Sequence, residues 1–484
     1  MRSELIIDGR AVIGAGDPIE VVDPTTGRTA ATIPAASDAQ VRAAVDAARA
    51  SFPAWRDAAQ DDRSAALRAV ADELLDRRNE LARLLTLDTG RPFARNLLYV
   101  DFAATIFRQY AELARQLAGR VVPSNEPGQL SFTRHVPVGV VACLVPWNYP
   151  LDLLAFKVAP ALAMGNTVVI KGAEEATPST LEVGALVASH VPPGVVDVVA
   201  GGRHVGERLV SDPGVDMVAF TGSTAAGRAI GAACGQLVKP AHLELGGKDP
   251  ALVFADVEPE LAARGVVWAA MLNAGQVCTS TERTYVHRSV ADRFVAAAVE
   301  LAGALRVGDP MEPATQVGPM RSEVGRSTVM RHLADAVDKG ARILTGGAPV
   351  PGPGYFFEPT VVVDVDHSMD LMRDETFGPV LPIMVFDDVD EAFALAADTD
   401  YGLGASVYTR DPVLVERAFR ELRVGGVWVN DPVVDNAAGL LAGIRASGNG
   451  RELGLDGLFA FTNVRHLHWQ PELQAKPWWY APEG

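Results

Sequence analysis

This sequence predicts an α/β protein, and three observations carry the prediction. From residue 138 to about residue 233, continuous apolar and β-branched runs alternate with helical segments. That is the pattern of a parallel sheet covered on both faces and joined by right-handed crossovers. A second α/β stretch runs from Glu244 to about Asn430. The chain's 484 residues also exceed what one core holds, so two or three domains are expected.

Helices come first. Ser37-Asp-Ala-Gln40 reads as a capping box opening a helix, with Val41 and Val45 on its inner face and Phe52 near its end. One longer helix is expected from about Asp61, carrying Leu67, Val70, Leu74, Leu81 and Leu84 at helical spacing. The alternation then runs as strand 138–144, helix 151–164, strand 166–171, helix 179–189, strand 195–200, helix 204–211, strand 217–220 and helix 224–233. In the second stretch a helix is expected over 290–305, a strand over 355–363 and a helix over 389–397. Gly346-Gly-Ala-Pro-Val-Pro-Gly-Pro-Gly354 reads as a surface loop, because regular elements resume at once. Three of the seven tryptophans, Trp469, Trp478 and Trp479, fall in the last 16 residues, with Tyr480 beside them. So aromatic a tail is expected to pack against another subunit or the body of the fold.

Composition narrows the partners. Lysine and arginine number 43 against 60 acids, a net charge of -17, which excludes the basic footprint of a nucleic-acid binder. Three cysteines make no disulfide framework and match no zinc spacing, so no metal is expected. Cys143, inside an apolar run, and Cys234, after a run of small residues, read as buried filler. The first residues lack a signal-peptide core and no stretch is long and uncharged enough to span a bilayer, so no membrane association and a cytoplasmic location are expected.

Cys278 is different. It lies in Asn273-Ala-Gly-Gln-Val-Cys-Thr-Ser280, flanked by small residues that let an electrophile approach, 34 positions after Glu244 in Glu244-Leu-Gly-Gly-Lys248. A thiol that captures a carbonyl and a carboxylate that later activates water point to a thioester and its hydrolysis. Three further segments could serve that chemistry. Lys171-Gly-Ala-Glu174 ends a strand and could hold ribose hydroxyls, and a carboxylate there favours NAD over NADP; the alternative is a surface ion pair. Phe220-Thr-Gly-Ser-Thr-Ala-Ala-Gly227 offers backbone N–H groups and a helix start to a pyrophosphate, although it is neither G-x-G-x-x-G nor a P-loop. Pro146-Trp-Asn-Tyr-Pro150 holds Asn148 rigidly enough to donate to an oxyanion, or simply to tie down a turn.

Taken in order, and with Glu375-Thr-Phe-Gly-Pro379, Trp428-Val-Asn430 and Ser447-Gly-Asn-Gly-Arg-Glu-Leu-Gly454, these segments resemble the NAD(P)-dependent aldehyde dehydrogenase superfamily, in its hydrolytic, non-acylating form. The resemblance covers nearly the whole chain. It implies Cys278 as nucleophile, Glu244 as general base and Asn148 as oxyanion donor. It implies a cofactor site of Pro146, Trp147, Lys171, Glu174, Phe220, Gly222, Ser223, Leu245, Glu375 and Phe377, with NAD the expected cofactor and NADP the lesser one. Tyr149, Leu153, Phe156, Val277 and Thr279 would line the tunnel of a small-molecule aldehyde, apolar and partly aromatic. Asp152 beside them could greet a cationic substrate, but is read first as facing solvent or a neighbouring helix. Glu452 matches a glutamate that relays protons, with a structural salt bridge as the alternative. The family fold implies a Rossmann-type cofactor domain (1–118 and 135–243), an α/β catalytic domain (244–435) and a small β oligomerisation arm (119–134 and 458–484), hence a homodimer or homotetramer.

One departure stands out: Leu440-Leu-Ala-Gly443 replaces the aromatic-bearing segment usual before the Ser-Gly motif, which weakens any case for a trimethylammonium cage. Three other readings stay open. A CoA-acylating semialdehyde dehydrogenase would resolve the thioester with CoA, but such relatives usually lack the glutamate at 244. A non-catalytic homologue would usually have lost the cysteine or asparagine. A cysteine hydrolase would need a histidine partner, and neither His242 nor His287 has a motif that recommends it.

Overall fold

Val140–Val145 is buried at all six positions, which marks it as the middle of something rather than an edge. In the computed structural model, which describes residues 1–480, it lies third in a seven-stranded sheet. The order is Ala241–Glu244, Met217–Thr221, Val140–Val145, Thr167–Gly172, Val196–Val199, Glu4–Ile7 and Arg10–Ile13. The first five strands are parallel. The two N-terminal strands add antiparallel at one edge. Helices Pro150–Ala163, Thr177–Ser189, Arg203–Ser211 and Thr224–Gln236 make the crossovers. Leu144 pairs with Lys171 on one side and Phe220 on the other, so the two expected cofactor segments end side by side at the carboxyl edge.

The second sheet runs Arg342–Thr345, Thr360–Val363, Val380–Phe386, Thr281–His287, Asp249–Val253, Gly404–Tyr408 and Gly426–Val429, parallel except for the first. Glu244 closes the last strand of one sheet and Asp249 opens a central strand of the other. The link Leu245-Gly-Gly-Lys248 is therefore where the two sheets meet.

Two elements differ from expectation. The long helix is two, Gln60–Asp76 and Arg78–Thr89, broken at Arg77, whose guanidinium bonds Glu80 and Glu182. The strand expected over 355–363 begins at Thr360, because Pro359 has no N–H for a ladder and the Tyr355 N–H is drawn to the Pro24 carbonyl at 2.9 Å. A helix the sequence reading did not single out, Phe93–Leu113, packs against Pro150–Ala163. Leu130–Pro137 and Thr462–Trp469 pair antiparallel as a separate two-stranded ribbon, on which Val464, Leu467 and Trp469 are exposed. Trp478, Trp479 and Tyr480 are exposed beyond it, and the last four residues of the expected arm lie outside the described residues. Among the described residues no helix is long and apolar enough to cross a membrane.

Candidate active site

The loop before Cys278 is bent the uncommon way. Asn273, Ala274 and Gly275 have φ of 52°, 56° and 74°, three left-handed residues in a row. For Asn and Ala that conformation is strained, so the surroundings must impose it. They do: the Gln276 amide donates to the Asn273 carbonyl at 2.9 Å, the Asn273 amide donates to the Gln276 carbonyl at 3.2 Å, and Gln276 Oε1 accepts from the Arg321 N–H at 2.8 Å. The thiol is thus fixed on a rigid turn. It stays partly exposed, whereas Cys143 and Cys234 are buried as expected.

Asn148 reaches the same turn. Its side-chain amide donates to the Gln276 carbonyl at 3.1 Å, and Arg91 Nη1 donates to the Asn148 carbonyl at 3.4 Å.

Glu244 arrives from the other sheet. Segment 447–452 is laced to its strand: the Asn449 and Gly450 N–H groups donate to the Leu243 carbonyl at 3.0 and 2.8 Å, and the Leu245 N–H donates to the Ser447 carbonyl at 3.0 Å. A Cβ on Gly450 would lie 2.4 Å from Glu244 Oε1, so the glycine leaves room for that carboxyl. Glu244 is buried and its Oε1 has no partner in the chain. Burial, then the neighbouring Glu452, hold the carboxyl well above the usual carboxylate range, while Lys157 and the Gly443 N–H pull it down. Glu452 itself accepts from Lys157 Nζ at 2.5 Å, with both side chains fully buried.

The glycines of the link explain the convergence. A Cβ on Gly246 would meet Glu375 Oε2 at 2.4 Å, and one on Gly247 would meet the Cys278 carbonyl at 2.6 Å. Only a chain without side chains there lets Glu375 and Cys278 come this close. The Gly247 N–H donates to Glu375 Oε1 at 3.1 Å. Burial, then Glu282, push the Glu375 carboxyl up to about 8. Phe377, at a φ of 51°, packs edge-on against Trp147 with ring centroids 5.7 Å apart. Burial raises the Cys278 thiol well above its ordinary value, and the carboxylates Asp435, Asp249, Glu244 and Glu375 push the same way.

Along the carboxyl edge of the first sheet, Lys171 and Phe220 flank Leu144. Burial lowers Lys171, with Glu174 and Glu175 opposing. Glu174 lies close over Gly202. The Gly222 N–H donates to the Glu244 carbonyl at 3.1 Å, tying this edge to the chemistry. The Ser223 hydroxyl caps helix Thr224–Gln236 by accepting from the Ala226 N–H at 3.3 Å, and buried Leu245 packs on Gly227 in that helix. Glycine turns, a helix start and a lysine with a carboxylate at adjacent strand ends fit a dinucleotide.

On the substrate side, Tyr149 meets Tyr99 edge-on at 4.9 Å and Phe156 meets Phe102 at 6.0 Å. Leu153, Val277 and Thr279 are buried nearby in the sequence. For Asp152 the structure removes one of the expected settings, solvent, and leaves the neighbouring helix. It does not face solvent: it is 3% exposed, and neither carboxylate oxygen has a partner.

Sequence reasoning missed Arg91, Tyr99, Gln276 and Lys157, and the pair of Lys248 with Glu282 at 2.6 Å. The Glu282 carboxylate also accepts the Thr376 and Phe377 N–H groups, both at 2.8 Å, and so holds the turn that carries Phe377. A signal existed for Lys157 and Asp152: they are the two charges in a helix, Pro150–Ala163, that is otherwise apolar and buried throughout.

The aldehyde dehydrogenase family matches residues 12–467 of the chain. Aminoaldehyde dehydrogenase 1 of Pisum sativum is 38% identical, over 99% of this chain and 98% of its own. The NADP-dependent succinate-semialdehyde dehydrogenase of Escherichia coli is 34% identical, over 96% and 97%. The crystal structure of an NAD-dependent aldehyde dehydrogenase from Sinorhizobium meliloti superposes with a TM-score of 0.96 at 34% identity, covering 99% of this chain and 97% of that one.

Proposed function

This chain belongs to the aldehyde dehydrogenase family, and from that premise we propose that it oxidises an aldehyde to its carboxylic acid with NAD, through a thiohemiacetal and a thioester on Cys278. One observation supports this most: Cys278 is partly exposed on a rigid turn that the Asn148 amide reaches, and Glu244, whose Oε1 has no partner in the chain, bears on its thiol.

In this reading Cys278 Sγ adds to the carbonyl carbon, and the oxygen that gains charge is met by the Asn148 amide and the Cys278 N–H. The bound dinucleotide supplies the hydride acceptor. Glu244 takes a proton from the water that attacks the thioester; the acid leaves and the thiolate returns. A carboxyl held above its usual range is the stronger base once it has lost its proton. Glu452, locked by Lys157 beside Glu244, is the next station for the proton.

Lys171 and Glu174 would hold the adenosine ribose, Gly222 and Ser223 the pyrophosphate, and Glu375 and Phe377 the nicotinamide ribose and ring. Pro146, Trp147, Phe220 and Leu245 would wall the site. The carboxylate of Glu174 is what favours NAD over NADP. Residues 1–118 with 135–243 act as the cofactor domain and 244–435 as the catalytic domain. The arm expected over 119–134 and 458–484, which carries the exposed Trp469, Trp478 and Trp479, serves a homodimer or homotetramer.

Glu244 favours water over CoA as the acceptor. A panel of aldehydes followed by NADH absorbance, with NAD or NADP and with or without CoA, tests this. The expected result is free acid made with NAD and no acceleration by CoA; a strict need for CoA with acyl-CoA as product would contradict it.

A further inference from the structure

We propose that Arg321 is a positioning residue for cofactor choice: it braces the loop that carries Glu174, and so keeps that carboxylate in the way of a 2′-phosphate; this rests on the cofactor reading above. Residues 173–176 leave strand Thr167–Gly172 and turn once before helix Thr177–Ser189. Three successive carbonyls of that turn are held. The Ala173 carbonyl accepts from the Ala176 N–H at 3.1 Å and from the Thr177 hydroxyl at 3.2 Å. The Glu174 carbonyl accepts from the same hydroxyl at 3.0 Å. The Glu175 carbonyl is met from 146 residues away, by Arg321 Nη2 at 2.6 Å. The first two carbonyls are held from inside the turn and would move with it. The third is held from elsewhere in the fold.

Arg321 has a fixed base from which to reach. Its own N–H donates to Gln276 Oε1 at 2.8 Å, in the turn that carries Cys278, and the Gln276 carbonyl accepts the Asn148 amide at 3.1 Å. The chain just before it is seated too: a Cβ on Gly318 would strike the Gly90 carbonyl, and one on Gly90 would lie 2.7 Å from Pro319 Cγ. Helix Glu323–Asp338, which follows, packs on strand Arg342–Thr345 of the second sheet. One residue thus spans from the nucleophile turn to the ribose loop at the edge of the first sheet. Arg321 is 3% exposed and its Nε has no partner. A buried guanidinium with an open donor costs stability, so packing alone does not explain it. Where the loop sits bears on Glu174. Its carboxylate lies against Gly202, where an added Cβ would meet Oε1 at 2.5 Å and Oε2 at 3.2 Å. With backbone on that side, the carboxylate yields to a 2′-phosphate by turning on its own bonds or by moving with the loop. Arg321 closes the second route.

The test is the Kd of NAD and of NADP, by titration calorimetry without aldehyde, for the full-length parent, Arg321→Met, Glu174→Gln and the double variant. Arg321→Met removes the guanidinium and keeps the backbone N–H that bonds Gln276. The ratio of the NADP to the NAD Kd should be above one in the parent and fall about tenfold in Arg321→Met, as a bond from a charged donor is lost. It should fall at least as far in Glu174→Gln. The double variant should add little to Glu174→Gln, because Arg321 acts through Glu174. Arg321→Lys, which keeps a cationic donor, should recover part of the ratio. A ratio that stays or rises in Arg321→Met while Glu174→Gln lowers it would overturn the brace, and so would additive effects in the double variant. A brace that served stability alone would lower the melting temperature and leave the ratio in place. If the parent binds neither dinucleotide, or Glu174→Gln leaves the ratio unmoved, the cofactor reading fails and takes the brace with it. Should Arg321→Met not fold, Arg321→Gln, polar but shorter, is judged by the same ratio.

Discussion

Helix Pro150–Ala163 carries two charges into the interior and treats them in opposite ways. Lys157 is matched inside the chain: its Nζ donates to Glu452 and to the Thr221 hydroxyl, both at 2.5 Å. Asp152, five residues earlier, is almost as buried and matched by nothing. A buried charge with a full set of partners belongs to the architecture, here the architecture that presses Glu452 toward Glu244. A buried acid without hydrogen-bond partners costs stability and is held in place by the rest of the fold. One helix thus carries one charge that the architecture satisfies and one that it leaves unbonded.

That contrast can be broken by substitution. The largest effect is expected for Lys157→Met, which strands the Glu452 charge; stability should fall by about 3–5 kcal/mol in urea or thermal unfolding. An unchanged midpoint would show that the pair does not bear on the fold. Asn148→Ala comes next, with kcat lower by about 10²–10³ as an oxyanion donor is lost; a kcat within a few-fold of the parent would remove Asn148 from that role. Asp152→Leu should act on stability in the opposite sense, raising it by about 1 kcal/mol because an unsatisfied buried group is replaced by an apolar one of similar size. A clear loss instead would mean that Asp152 is paired within the folded chain.

The smallest effect is one of pH. Because the thiol is held above its ordinary value and the thiolate is the reactive form, alkylation of Cys278 without dinucleotide should be slow at neutrality. It should keep rising as pH passes the ordinary thiol range, where an unshifted thiol would level off. A plateau near neutral pH would show a lowered value and contradict the carboxylate surroundings.

The sequence made the scaffold legible because its parallel strands are unbroken apolar runs and its caps are local. Ser37 and Gln40 form the expected capping box, and the helix expected over 389–397 starts and ends there. Cys278 and Glu244 were legible from small residues placed around reactive ones. What escaped depends on contacts across long separations. Gln276 is bound through Arg321, Arg91 lies between tyrosines on two helices, and Glu282 holds a turn more than ninety residues on. No local pattern announces such partners. Asp152 was visible as an odd charge in an apolar helix, but that it is buried without a hydrogen-bond partner was not, because residues distant in sequence set its burial.

The most direct measurement is intact-mass spectrometry of Glu244→Gln mixed rapidly with aldehyde and NAD. The account predicts one burst equivalent of NADH per active site and an acyl adduct that maps to Cys278 and persists, while Cys278→Ala shows neither. Steady turnover at the parent rate with no adduct on Cys278 would contradict it.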